Sequence, residues 1–256
     1  MGRYANILNY GAGVNSTALL VLAANYYIRD VDPQSLIALF ADTGAEQPES
    51  YQYIPIIESY CREKGIKFEI VKPKYTLEEY VYKSGILPSR SMRWCTNRLK
   101  IRPIRQRASM ADIEKPYGQL LGFDRNEIKR IKRFKSTRNT EERFPLVEMD
   151  LTREDCITII TGENLPIPVK SRCFCCPFQA LSSFLLMANK YPELADRASK
   201  MELWTNLKRD GRVPFYIFRE PLPSIIKRGD EILKRALRRG TLSNRDLDMV
   251  EYERNK

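Results

Sequence analysis

Tyr10-Gly11-Ala12-Gly13-Val14-Asn15-Ser16-Thr17 follows an apolar run, Tyr4-Ala5-Asn6-Ile7-Leu8-Asn9, and precedes a helix-like one, Ala18-Leu19-Leu20-Val21-Leu22-Ala23-Ala24. A strand, a glycine turn and a helix start in that order form a phosphate cradle. Glycine lets the backbone approach an anion, and the helix's first unpaired N–H groups face that anion with the positive end of the dipole. Ser16 and Thr17 are expected to add hydroxyl donors. An ordinary strand-to-helix turn is the plainer alternative. The loop is neither of the two common nucleotide fingerprints: a Walker A loop needs Lys where Asn15 stands, and G-x-G-x-x-G needs Gly at position 16.

Working outward, apolar β-rich runs alternate with helical patterns over the first 150 residues. Strands are expected at 5–10, 35–41, 67–71, 119–122 and 144–148, and helices at 17–27, 49–64, 77–84 and 100–108. That alternation predicts an α/β fold, a mainly parallel sheet covered on both faces, with the ligand at the carboxyl ends of the strands. Beyond residue 150 the pattern turns helical, with a capped helix from Thr152 to Thr161 and others at 180–189, 192–209 and 230–238. The last fifteen residues are highly charged and expected to fray. The division read from this is a nucleotide-binding α/β domain over 1–150, with a Cys-bearing helical region over 151–256 packed as part of one compact unit.

Composition sets the outer bounds. The chain of 256 residues is long enough for a full core, and no apolar run approaches the ~20 residues of a membrane span. No secretory signal pattern opens it, so a cytoplasmic protein is expected. There is no histidine, which removes Ser-His-Asp and Cys-His catalysis and every His-ligated metal site. The formal charge is +11, and residues 90–138 carry fifteen Lys/Arg against four Asp/Glu, so the rest of the chain is nearly balanced. Such a segment implies a polyanion, either nucleotide phosphates or a tRNA or DNA backbone, against the plainer reading of a solvated face. Oligomeric state is not readable.

Three further stretches carry chemistry. Asp42-Thr43-Gly44-Ala45-Glu46-Gln47-Pro48-Glu49 ends the second strand and places a carboxylate and a hydroxyl at the same sheet edge, suited to ribose or Mg²⁺; a turn with a Thr43–Glu46 capping box is the alternative. Lys100 and Arg102, in Arg93-Trp94-Cys95-Thr96-Asn97-Arg98-Leu99-Lys100-Ile101-Arg102-Pro103-Ile104, supply compact and forked positive charge for a polyphosphate. In Lys170-Ser171-Arg172-Cys173-Phe174-Cys175-Cys176-Pro177, Cys173 and Cys176 form C-x-x-C. Cys95 is the natural third ligand and Cys175 a fourth, for a 4Fe-4S cluster or a structural Zn²⁺, with a redox dithiol or inert core as the remaining alternative. Cys61 and Cys156 read as buried small apolar residues.

Residues 11–16 resemble the PP-loop, S-G-G-x-D-S, of the N-type ATP pyrophosphatases, with Ala12 for one Gly and Asn15 for Asp. The 42–49 stretch is similar to the D-T-G-x-E-x-x-E of the phosphoadenosine phosphosulfate (PAPS) reductase-like branch. Residues 95–104 resemble its C-T-x-x-x-K-x-x-P-I, and Gly122-Phe123-Asp124-Arg125-Asn126-Glu127-Ile128-Lys129-Arg130 its G-I-x-x-x-E-x-x-R. The resemblance covers residues 5 to about 180. It implies a Rossmann-like adenine nucleotide alpha-hydrolase (HUP-type) fold with ATP, PAPS or its unphosphorylated relative APS at Gly11, Ala12, Gly13, Val14, Asn15, Ser16, Thr17, Thr43 and Glu127. Lys100, Arg130 and Asp42 become the catalytic groups, with Mg²⁺. Related tRNA-thiolating enzymes resemble this chain in a three-cysteine cluster with one open iron that holds sulfur.

Three functions are carried forward. The first is an AMP-forming ATP pyrophosphatase-type enzyme that adenylates a substrate, with Fe–S-assisted sulfur transfer to tRNA or DNA. The second is a sulfonucleotide reductase, whose usual carboxyl-terminal E-C-G-x-H segment is missing here. The third is a nucleic-acid-binding module without turnover.

Overall fold

A computed structural model describes residues 4–111, 113–210 and 212–241. The chain divides into two units, one of Met1–Lys74 with Thr96–Ser171 and one of Tyr75–Cys95 with the chain from Arg172 on.

The first unit is built on five parallel strands: β1 (Tyr4–Tyr10), β2 (Leu36–Ala41), β3 (Lys67–Val71), β4 (Ile113–Leu121) and β5 (Thr140–Arg143), in the order β3-β2-β1-β4-β5. Its helices are α1 (Val14–Ala24), α2 (Pro48–Glu63), α4 (Arg102–Met110), α5 (Ile128–Ile131), α6 (Pro145–Glu148) and α7 (Arg153–Gly162). All six residues of β2 are buried, as a strand covered on both faces requires. Helix α1 is apolar nearly all round because it lies inside the layer, with Leu8, Phe40, Leu120, Tyr53, Ile57 and Ile160 in its core. The other face is closed by Ile104 and Ala108 of α4 against Ile7, Ile37 and Leu39. Strand order reverses between β1 and β4, so the crevice of this fold opens beyond their carboxyl ends. The glycine loop leaves β1 there, and Gly122 leaves β4.

Several boundaries differ from expectation. Residues 144–148 form α6 rather than a strand, with Pro145 in its first turn, where a fixed φ helps and a missing N–H costs nothing. The fifth strand lies just before, pairing Tyr117–Leu120 with Thr140–Arg143. The fourth strand is longer, and the helix expected from Lys100 is preceded by a π-helical turn, Thr96–Ile101. Pro103 has no N–H to continue an i→i−4 ladder at the point where that turn gives way to α4.

The second unit is helical: α3 (Leu77–Ser84), α8 (Leu181–Lys190), α9 (Pro192–Lys208), α10 (Leu222–Lys227) and α11 (Gly229–Arg238). A reciprocal Thr76–Glu79 capping box opens α3 and left-handed Gly85 closes it. Phe174, Phe184, Leu185 and Met201 are buried at its centre. The buried Glu202 carboxylate accepts the Ile217 and Leu222 amides at 2.9 and 2.8 Å, fixing the segment that leads into α10, a helix not expected from sequence. The fraying expected of the last fifteen residues lies outside the described residues. Among the described residues no helix is long and apolar enough to cross a membrane.

Candidate functional site

The loop between β1 and α1 is organised around one oxygen. The Gly11 and Gly13 amides both donate to Ser16 Oγ at 3.2 Å, and that hydroxyl donates to the Gly13 carbonyl at 3.0 Å. Two backbone N–H groups converging on one oxygen are the geometry of an anion nest, with the serine hydroxyl as its internal occupant. Ala12, where the resembling pattern has glycine, takes a left-handed φ of 52° and is buried. Val14 opens α1 and packs inward. Thr17, expected as a second donor to the ligand, is fully buried and shares its hydroxyl with Tyr10 Oη at 3.0 Å. It serves the core.

Asn15 is the pivot of one flank. Its Nδ2 donates to Asp124 Oδ2 at 2.9 Å and to Glu127 Oε2 at 3.1 Å, while Oδ1 is buried with no partner among the described residues. Asp124 is itself fixed by accepting the Asn126 amide at 2.9 Å, as cap of the turn Arg125–Glu127. Arg130 pairs with Glu127 and stacks over the Phe123 ring at 4.8 Å. Thus Asn15, Glu127 and Arg130, expected at the site, do meet. Asp124 joins them; it stands two residues after Gly122 and was not singled out.

The β4 turn can come this close because residue 122 has no side chain. A Cβ there would lie 2.9 Å from the Ser16 nitrogen, 3.0 Å from Ser16 Cα and 3.1 Å from the Asn15 carbonyl carbon. All three are backbone atoms that cannot step aside.

The second flank is Lys100, Glu46 and Ser171. Lys100 Nζ bonds Glu46 Oε1 at 2.8 Å; the Glu46 side chain is 0% exposed and that of Lys100 38%. Ser171 Oγ reaches Glu46 Oε2 at 3.4 Å, and Ser171 Cβ would be 4.0 Å from a Cβ on Gly13. Lys100 sits on the π-helical turn, a distortion that often marks functional positions. Helix α2 begins at Pro48 with Gln47 as cap, so Glu46 lies ahead of that cap, and its carboxylate meets Lys100. Glu46 and Ser171 went unrecognised as site residues. Glu46 stands inside the 42–49 motif and Ser171 inside the 170–177 stretch, so the sequence placed both near the site without giving either a ligand role.

Asp42 is committed on one side. Its Oδ1 accepts the Gly44 amide at 2.9 Å and the Tyr51 hydroxyl at 2.8 Å. Burial, and then the Asp42 carboxylate, push the Tyr51 phenol well above its usual range, so it stays a donor. Thr43 is buried beside this turn.

The cysteines of the C-x-x-C stretch lie in the second unit with Cys95. The Cys176 amide donates to the Cys173 carbonyl at 3.2 Å, closing a turn in which both residues are half-buried. Cys175 faces inward, and burial, then its neighbours Cys176 and Cys95, hold its thiol protonated far above the usual range. Among the described residues no three Cys, Asp or Glu side chains are arranged to hold a metal ion. Cys61 and Cys156 are fully buried, each thiol pushed up to about 12, chiefly by burial.

No protein-family model matches this sequence, and no curated protein does either. Solved structures similar to it include a phosphoadenylyl-sulfate (PAPS) reductase from Candida auris in a phosphate complex (14% identity, 64% of this chain and 75% of that one, TM-score 0.47). Others are the U34-tRNA thiolase NcsA from Methanococcus maripaludis with its [4Fe-4S] cluster (17%, 90% and 71%, 0.46) and an NH3-dependent NAD synthetase from Campylobacter jejuni (11%, 95% and 90%, 0.42).

Proposed function

We propose that the first unit binds ATP at residues 11–17 and cleaves its α–β phosphate bond, transferring AMP to an acceptor oxygen and releasing pyrophosphate. The observation that carries this is the pair of Gly11 and Gly13 amides turned on one oxygen at 3.2 Å, with Lys100 on one flank and Arg130 on the other. The two N–H groups bind a phosphate oxygen in place of the Ser16 hydroxyl. The acceptor oxygen attacks the α-phosphorus, a new P–O bond forms, and the α–β bridging oxygen leaves on pyrophosphate with the electron pair. Lys100 and Arg130, each held by a carboxylate, offset the charge that builds on the leaving group. Adenylation makes that acceptor oxygen a good leaving group for a later nucleophile, including a sulfur donor.

Asp124 and Glu127 are the carboxylates that would hold Mg²⁺, which commonly takes one or two carboxylates together with phosphate oxygens, once Asn15 Nδ2 gives up its bonds to them. Bound there, the ion would neutralise polyphosphate charge. The thiols of the second unit fit a 4Fe-4S cluster or Zn²⁺ less well, since among the described residues no three Cys, Asp or Glu side chains are assembled as ligands. No step is routed through a cluster.

A sulfonucleotide reductase is the second reading, favoured by the half-buried Cys173–Cys176 turn, which could deliver two electrons. The test is anaerobic assay of purified protein with ATP and, separately, with PAPS and APS. AMP and pyrophosphate in equal amounts from ATP support adenylation. Sulfite from a sulfonucleotide would replace it with the reductase. Neither product, with intact nucleotide binding, leaves a binding module. Lys100→Ala should weaken ATP binding about tenfold or more, read by titration calorimetry, since a charge-assisted contact contributes roughly 1.5–3 kcal/mol.

A further inference from the structure

Between α5 and β5 the chain makes a surface excursion of unusual charge. Lys129, Lys132, Arg133, Lys135 and Arg138 are all exposed, and none has an ion-pair partner among the described residues. The acid in this stretch, Glu127, is already taken by Arg130 and Asn15. Several cations elsewhere in the unit are neutralised: Arg107 and Lys67 share Glu69, Arg125 has Asp150, and Lys64 has Glu163. Five uncompensated charges in ten residues repel one another, and nothing in the fold requires them.

The excursion is anchored. Phe134 packs against Phe123 at 5.3 Å and Phe144 at 5.7 Å, so an aromatic cluster pins the backbone while the flanking cations stay in solvent. It is also contiguous with the nucleotide loop, through Arg130 to Glu127 to Asn15.

We propose that residues 129–138 dock the phosphodiester backbone of a nucleic acid and present it to the loop. This narrows the basic stretch 90–138 to one arm. The charge exceeds what one nucleotide needs, because Lys100 and Arg130 already serve the loop. An anionic membrane surface fits poorly: α5 is one turn long, too short to lay an amphipathic face in a bilayer interface. Repeating phosphates match a row of exposed Lys and Arg without needing an apolar groove. That the docked nucleic acid is also the adenylated acceptor rests on the ATP reading above. The docking itself does not.

The test is fluorescence anisotropy of labelled 20-nucleotide single strands of RNA and of DNA, equal in sequence, with the full chain and no ATP. Five phosphate contacts at roughly 0.7 released counterions each give a log–log salt slope near −3.5, so Kd should rise about 100-fold from 50 to 200 mM salt. The triple variant K132Q/R133Q/K135Q should lower that slope by about 2 and weaken binding at 50 mM at least tenfold. A variant with the same loss of charge at the end of α11 and its cap, R235Q/R238Q/R239Q, should change it little. RNA alone, DNA alone or both behaving this way each supports the arm and identifies its source of phosphate. Three results overturn it: no binding at 50 mM, equal weakening by both triple variants, or equally tight binding to anionic vesicles. None depends on AMP formation, so failure of the arm and failure of the ATP reading are separately visible.

Discussion

Gly122 shows how much one missing side chain can settle. In sequence it is a glycine after an apolar strand that opens the 122–130 element, with nothing to say which backbone it approaches. In the fold it lets the β4 turn touch the backbone of Asn15 and Ser16, which brings Asp124 and Glu127 to the Asn15 amide. Gly122→Ala places a methyl against three backbone atoms, so one of the two loops must retreat. The expected cost is about 1–3 kcal/mol of stability, read by urea denaturation, together with loss of most ATP affinity. Unchanged affinity would show that the β4 turn does not shape the nucleotide site. The loop itself was legible: a strand, a glycine turn and an apolar helix in sequence leave little choice. Lys100, Glu127 and Arg130 were expected beside it, but Glu46, Asp124 and Ser171 come from three separate connections and reach it only when the sheet forms. Thr17 illustrates the converse. Its type suited a phosphate ligand, but at this helix position its hydroxyl turns to Tyr10 in the core.

At the level of elements, the α/β alternation was legible from apolar runs and their spacing, and β3 and α3 were placed correctly at both ends. Residues 144–148 fail as a strand for a physical reason: Phe-Pro-Leu-Val is as apolar as a strand, but proline cannot donate to a ladder and readily starts a helix. The true edge strand, Thr140-Glu141-Glu142-Arg143, is charged and reads as a loop. That strand carries an electrostatic cost. The Glu142 side chain is 5% exposed, its nearest cation, Arg105, stands 3.9 Å away, and Oε2 has no partner. Burial raises its pKa against the opposing pull of Arg105. In register across the ladder, Gln119 also has an unpartnered Oε1. Below about pH 4, near the unfolded carboxyl's own pKa, both states are protonated and the fold pays nothing. As pH rises past that value the unfolded chain ionises first, and stability is lost until the folded group ionises too. Glu142→Gln does not titrate and adds an N–H donor at the position paired in register with Gln119. It should therefore stabilise the protein by about 1 kcal/mol at pH 7 and by less at pH 4. Thermal melts at the two pH values check this; a variant whose gain is the same at both would show that Glu142 ionises freely in the fold.

For the whole molecule, the two units have different sources of stability. The first has a sheet with cores on both faces; the second is helices held partly by buried polar clasps such as Glu202. All residues proposed for nucleotide binding, from Gly11 through Lys100 and Arg130 to Ser171, belong to the first unit, and all four candidate metal thiols to the second. A ligand stabilises only the structure it binds. At one hundred times its Kd, ATP adds about 2.7 kcal/mol, which for a unit of 150 or so residues raises the melting temperature by roughly 5–10 °C. Scanning calorimetry with and without ATP should therefore show a heat-absorption component that moves by this amount and another that stays. In Lys100→Ala, at the same ATP concentration, the moving component should shift by clearly less, while the stationary one is unaltered. If one undivided transition moves as a whole, the two units unfold cooperatively, and ATP bound to the first then also stabilises the turn that carries Cys173 and Cys176.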